Sequence, residues 1–182
     1  KQEYNDYVLK LENYLKENRR NLALGTGHIE QDKLPYNEIR FYKEGNFQKY
    51  YAKQLLTHGP DFMGEYHFYV PGVKLETYDL APNVRAGALI CNDAWAYPLA
   101  SPNGNPYYWR TLREMGCNIV FVSANCTMDV RDEIVYNFHE SMLRIMAKSY
   151  NMHVVVSSAC TDMNGVVVQH VQAPSGIISD TG

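Results

Sequence analysis

Three apolar runs, at 85–91 (Arg-Ala-Gly-Ala-Leu-Ile-Cys), 118–123 (Asn-Ile-Val-Phe-Val-Ser) and 153–157 (His-Val-Val-Val-Ser), the last β-branched, are separated by two stretches of helical periodicity. Runs that are apolar on successive rather than alternate residues suit strands covered on both faces, the situation of a parallel sheet. Parallel neighbours need a crossover of a dozen or more residues. The intervening 92–117 and 124–152 are long enough, and within them 107–115 and 135–150 read as helices, the second with Phe138, Met142, Ile145, Met146 and Tyr150 at roughly helical spacing. Strand, helix, strand, helix, strand predicts an α/β fold with helices laid over the sheet.

The segments on either side are less regular. Leu9, Leu11, Tyr14 and Leu15, interleaved with Lys10, Glu12, Lys16 and Glu17, predict an amphipathic helix that stops near residues 18–21. Residues 21–25 read as a short buried strand and 33–38 as a turn. Residues 39–42 and 47–51 read as a hairpin with Gly45 at its tip, which sets Lys53 just past a strand end. The stretch 57–72 holds His58-Gly59-Pro60, Gly64 and Pro71-Gly72, too many breakers for regular structure. It also holds Phe62, Tyr66, Phe68 and Tyr69, too many aromatics for a solvated linker, so an ordered loop is expected. Residues 166–169 and 175–179 read as antiparallel strands joined through Ala173-Pro174. No repeat or linker divides the chain, and one domain over 1–182 is expected.

Composition narrows the function. At 182 residues and 46% apolar content, a chain buries roughly 70% of its unfolded surface without staples. With 17 Lys+Arg against 20 Asp+Glu, the formal net charge is −3. That balance offers no basic footprint for nucleic acid and no cationic cluster for an anionic membrane. The longest apolar runs fall far short of the ~20 residues of a membrane helix. The polar amino-terminal segment and four cysteines without CxxC spacing (Cys91, Cys117, Cys126, Cys160) suggest reduced thiols and a cytoplasmic setting. They also lack zinc-ligand spacing, so no zinc site is expected.

Position separates the cysteines. Cys117 at a helix end, Cys126 in a loop and Cys160 at a strand end read as small buried hydrophobes. Cys91 instead closes an apolar strand and meets Asn92-Asp93, read as a polar turn, and ligand sites form at the carboxyl ends of such strands. A thiol on a sharp turn after a strand meets substrate while neighbouring backbone N–H groups can stabilise an oxyanion. It needs a base or a cation to act as a nucleophile. His139, beside Glu140 on a predicted helix, and His67, in the aromatic loop, are candidate bases. Lys53, in Tyr51-Ala52-Lys53-Gln54-Leu55-Leu56, is the candidate cation.

Leu-Ile-Cys-Asn-Asp at 89–93 with Trp95 and Pro98, then 112–116 and Ile-Val-Phe-Val at 119–122, resembles the nucleophile segment of the nitrilase (carbon–nitrogen hydrolase) superfamily. Tyr36-Asn37 followed by Gly45, and Tyr51-x-Lys53-x-x-Leu56, are similar to its strand pair and lysine segment. Glu65 near Pro71-Gly72 is similar to the additional glutamate many members carry. Gly165 and Pro-Ser-Gly-Ile-Ile-Ser-Asp-Thr-Gly at 174–182 resemble its late strand pair. The resemblance covers about 22–182.

The resemblance implies an αββα sandwich and hydrolysis of a non-peptide carbon–nitrogen bond in a small amide, N-carbamoyl compound or nitrile. Cys91 would attack, Lys53 would stabilise the developing negative charge, and Glu65 would lie beside both. The backbone N–H of Asn92 would be a second oxyanion donor, and Asn92 and Trp95 would contact substrate. It implies no metal or cofactor, and the edge and apolar face that a missing strand and helix would expose lead to an expected homo-oligomer. The wording of the cysteine segment is nearest to N-carbamoyl amide hydrolases and glutaminase-like members.

Two departures stand out. The family's first glutamate, in a Pro-Glu segment, has no counterpart, since Glu3, Glu12, Glu17 and Glu30 stand outside any such motif; and Met146-Ala-Lys-Ser-Tyr150 replaces Arg-Ala-x-Glu-Asn. The expectation is therefore a sandwich incomplete at both ends, lacking the first strand–helix unit and the carboxy-terminal tail. Two other readings stay open: a non-catalytic nitrilase-like module for assembly or binding, and a hydrolase that pairs Cys91 with a histidine such as His139.

Overall fold

The computed structural model describes residues 2–28, 34–57, 64–95, 107–124, 138–158 and 174–181. The amphipathic pattern at the amino-terminal end forms helix α1 (Gln2–Glu17), whose Leu15 is buried and whose Glu12 accepts a 2.8 Å hydrogen bond from the Tyr42 hydroxyl. Strands β1 (Leu22–His28), β2 (Tyr36–Lys43) and β3 (Asn46–Ala52) follow as an antiparallel sheet in that order. The β2–β3 hairpin turns at Glu44 and Gly45, both with positive φ (49° and 80°). A glycine is required here on two counts: its φ, and a Cβ that would lie 2.4 Å from the Leu15 carbonyl oxygen. The Gly45 N–H donates to the Arg20 carbonyl at 2.7 Å, so the hairpin tip is tied to the chain leaving α1.

The second sheet has the order β4 (Tyr78–Ala81), β5 (Val84–Ile90), β6 (Ile119–Ala124), β7 (His153–Ser158), β8 (Gly176–Ile178). Strands β5, β6 and β7 are parallel, joined through α2 (Asn92–Trp95) and α3 (Tyr108–Glu114), then α4 (Phe138–Tyr150). The three apolar runs thus form the buried centre of this sheet. Antiparallel β4 and β8 flank them. Leu112 of α3 and Leu143 and Ala147 of α4 are buried against it.

The two sheets face each other across one apolar core. Ile39, Phe41 and Tyr51 from the first belong to one buried cluster with Ala86 and Ala88 from the second, whose Phe121 meets Phe41, while Leu89, Val120 and Val122 share the alternate face with Gly87, which abuts Leu112 of α3. Phe41 stacks on Tyr78 at 3.7 Å and meets Phe121 edge-on at 5.5 Å between ring centroids. With α1 outside one sheet and α3 and α4 outside the other, the layers read α, β, β, α. Among the described residues no helix is long and apolar enough to cross a membrane.

Two expectations need correction. Asn92-Asp93, read as a polar turn, begins helix α2 and is buried. Strand β4 was not foreseen, and β8 pairs with β7, while residues 166–169, expected to partner it, lie outside the described residues.

Candidate active site

The parallel register aligns Ile90 with Ser123 and Ser123 with Ser157, which brings the carboxyl ends of β5, β6 and β7 to one rim. Cys91 is the first residue beyond β5. Its φ of 46° is left-handed, a conformation that costs a non-glycine residue roughly 1–3 kcal/mol. Two bonds hold it there: its N–H donates to the Ser123 carbonyl at 2.8 Å, and its carbonyl accepts from the Ala94 N–H at 2.9 Å. This is the geometry of a nucleophile elbow, with the half-buried thiol at a strand tip.

Lys53 approaches from the other sheet. Its backbone N–H donates to the Asn37 carbonyl at 2.8 Å, and its carbonyl accepts from the Gly72 N–H at 2.7 Å. A Cβ on Gly72 would lie 2.2 Å from the Ala52 carbonyl oxygen, so this close approach excludes any larger residue. The Lys53 side chain is only 2% exposed and its ammonium pairs with Glu65. A lysine this deep requires a partner anion.

Glu65 opens a single 3-10 turn, Glu65–His67. Besides Lys53, its Oε2 accepts from the Thr57 backbone N–H and hydroxyl, both at 2.7 Å, and its Oε1 accepts from the Asn37 side-chain amide at 3.0 Å. Burial pushes its carboxyl up, but the Lys53 charge and the Lys53 and Thr57 hydrogen bonds outweigh burial and hold it below the usual carboxylate range. Glu65 is therefore an anion at neutral pH with its oxygens already engaged.

Asn37, Lys53, Thr57, Glu65, Ile90, Cys91, Ser123 and Ala124 line one cavity of about 330 Å³. It lies where the rims of the two sheets meet, with Asn37 and Lys53 from one and Cys91 and Ser123 from the other. The structure brings Cys91, Lys53 and Glu65 to this single cavity. Asn92, next to Cys91 in the chain, and Trp95 are buried in α2; neither is among the described lining residues, and Trp95 stacks on His139 at 4.1 Å. His139 and His67 are likewise absent from the described lining, and Cys126 and Cys160 lie outside the described residues. Cys117 is fully buried, and burial pushes its thiol up to about 11. Among the described residues no cluster of three or more His, Cys, Asp or Glu side chains could hold a metal ion.

Thr57 and Ser123 had no signal in the sequence. Asn37 stood in a motif but without a role, which here is to brace Glu65 and Lys53. Asp93 is the other unforeseen member: fully buried, it accepts from the Tyr51 hydroxyl at 2.8 Å and from the N–H groups of Leu55, Gln54 and Ile90 at 2.8, 3.2 and 3.2 Å. Burial pushes its carboxyl up to about 6, against the lowering effect of those donors and of the Lys53 charge.

No protein-family model and no curated protein matches the sequence. Solved structures match its fold. An amidase from Nesterenkonia sp. superposes with a TM-score of 0.74 at 15% identity, over 99% of this chain and 61% of that one. A glutamine-dependent NAD+ synthetase from Acinetobacter baumannii superposes with a TM-score of 0.73 at 17% identity, over 98% of this chain and 31% of that one. A glutamate-to-glutamine mutant of the Nesterenkonia amidase matches with a TM-score of 0.73 at 16% identity, over 99% and 61%, and shows covalent addition of the acetamide moiety of fluoroacetamide at its active-site cysteine. That amidase belongs to the nitrilase superfamily. The chain spans about three fifths of the amidase's length and about a third of the synthetase's. The likeness is one of fold: the chain has the αββα fold of nitrilase-superfamily amidases.

Proposed function

We propose that this chain is a carbon–nitrogen hydrolase domain acting on a small amide, N-carbamoyl compound or nitrile through a thioester or thioimidate on Cys91. The observation that carries this reading is the meeting of a strained cysteine elbow and a buried, carboxylate-paired lysine in one cavity. A strain retained at a strand tip and a charge retained in the interior both work against stability, and such costs cluster at functional sites.

For an amide, the Cys91 sulfur attacks the carbonyl carbon and the carbonyl oxygen becomes an oxyanion. Lys53 donates a hydrogen bond to that oxyanion, and the backbone N–H of Asn92 is proposed as the second donor, since the Cys91 N–H is engaged by Ser123. When the intermediate collapses the carbon–nitrogen bond breaks, and the leaving amine carries off a proton that the thiol gave up. Glu65, the only carboxylate among the described lining residues, holds Lys53 in place, with four donors already on its oxygens. Water then attacks the thioester carbon, the carbon–sulfur bond breaks, and a proton from the water returns to the sulfur as the acid leaves.

The test uses the full chain with small primary amides and mass spectrometry of the Cys91 peptide. An acyl adduct on Cys91 that is absent in Cys91→Ala supports the reading. Lys53→Ala should lower adduct formation at least a hundredfold, with little change in the amide concentration that gives half-maximal rate. If Cys91 takes no acyl group and reacts with alkylating reagents no faster than a free thiol, the chain is a binding or assembly module of the same fold.

A further inference from the structure

We propose that Asp93 is a positioning residue: its buried carboxylate clasps the segment that follows β3 to the elbow that follows β5, and so sets the separation between the Lys53 ammonium and the Cys91 sulfur. The inference rests on the roles given to Lys53 and Cys91 above. Its basis is where the four donors to Asp93 come from. Tyr51, Gln54 and Leu55 bracket Lys53 on both sides, and Ile90 immediately precedes Cys91. Lys53 and Cys91 lie on different sheets, so no strand register relates them. Asp93 does. One oxygen takes the two N–H groups that follow Lys53, and the other takes the Tyr51 hydroxyl together with the Ile90 N–H.

Burial makes this clasp specific. With no exposure to water, the donors that Asp93 satisfies have no substitute partner, and each would be left unpaired in the interior if the carboxylate were lost. An asparagine in its place has nearly the same shape, but it offers one acceptor oxygen and turns an amide donor toward two of the four donors. The segment carrying Lys53 would then move relative to the elbow while the rest of the core stays packed.

The experiment measures the rate of iodoacetamide alkylation of Cys91 by peptide mapping in the full-length chain at neutral pH, with Cys117 protection reporting the integrity of the core. Lys53→Met is expected to slow Cys91 alkylation about tenfold or more, because the Lys53 ammonium would hold the amide oxygen of iodoacetamide and so orient the reagent beside the sulfur. Asp93→Asn should slow it by a similar factor with Cys117 still protected. The double variant Asp93→Asn with Lys53→Met should be no slower than Lys53→Met alone, because Asp93 acts through Lys53. Tyr51→Phe removes one donor and leaves the carboxylate in place; it should slow Cys91 severalfold, and only when Lys53 is present, which keeps the proposal open to refutation if Asp93→Asn does not fold. Unchanged or faster alkylation in Asp93→Asn, or additive effects with Lys53→Met, overturns the clasp. Wild-type alkylation in Lys53→Met overturns the reading of the site itself, and the clasp with it.

Discussion

Two carboxylates, the half-buried Glu65 and the fully buried Asp93, respond to pH in opposite directions, which separates their roles residue by residue. For Glu65, burial alone would raise the carboxyl, but the Lys53 charge and the hydrogen bonds win and lower it. A carboxyl held low in the folded state contributes stability that is complete above its unfolded value of about 4.3 and is lost as pH falls through the folded value. The stability gap between wild type and Glu65→Gln should therefore be constant from pH 6 to 7 and shrink below about pH 4. Asp93 is raised to about 6, mainly by burial. The folded state then holds its proton more tightly than the unfolded chain, so that contribution is complete below about pH 4 and is lost as pH rises to 6. Urea unfolding of wild type and Asp93→Asn across this range should show the wild-type advantage falling by on the order of 3 kcal/mol, then levelling off. A gap that does not vary between pH 4 and 6 would mean that Asp93 is not raised.

At the scale of elements, two glycines that each abut a backbone should give different phenotypes. Gly45→Ala forces a side chain at φ 80° to within 2.4 Å of the Leu15 carbonyl, remote from the cavity. It should cost about 1–3 kcal/mol, a fall of several degrees in Tm, and leave the Cys91 alkylation rate unchanged. Gly72→Ala pushes on Ala52, the residue before Lys53, so it should slow Cys91 alkylation as well as lower Tm. Equal alkylation rates in the two variants would show that the Lys53 segment absorbs the clash. The same contrast explains what the sequence could reveal. Strands β5, β6 and β7 were legible because burial on both faces leaves an unbroken apolar run, and the β2–β3 hairpin because its turn demands a glycine. Strand β4 was not: its pairing with β5 is irregular, and although its four residues alternate inward and outward, four are too few to establish a period. Asn92-Asp93 was misread because two polar residues after a strand look like a turn, and the partners that bury Asp93 lie 38 to 42 positions earlier in the chain. Cys91 and Lys53 stood out because each is chemically conspicuous at a strand end. Thr57 and Ser123 did not, since a hydroxyl residue becomes part of a site only through what the fold sets opposite it.

For the molecule as a whole, the site exists only while the two sheets are docked, because each sheet contributes half of the cavity. The docking surface is apolar and centres on Phe41, which is 2% exposed between Tyr78 and Phe121. Phe41→Ala removes an aromatic ring from that surface and should cost about 3–5 kcal/mol in transfer and cavity terms. The two described cysteines report the consequence separately. Cys91 is half-buried at the rim and reacts from the folded state, whereas Cys117 is fully buried with its thiol pushed up to about 11 and reacts only after the core opens. At neutral pH iodoacetamide should therefore modify Cys91 and spare Cys117 in the wild-type chain. In Phe41→Ala, labelling of Cys117 should rise about a hundredfold or more, tracking the loss of global stability, as 1.36 kcal/mol corresponds to a factor of ten. Cys91 should lose reactivity only by the small fraction of molecules unfolded at any moment, because a chain whose sheets are docked presents the same rim. If Cys91 instead slows severalfold while Cys117 stays protected, Phe41 governs the local spacing of the sheets at the rim, and docking is not the all-or-none event that a single shared core implies.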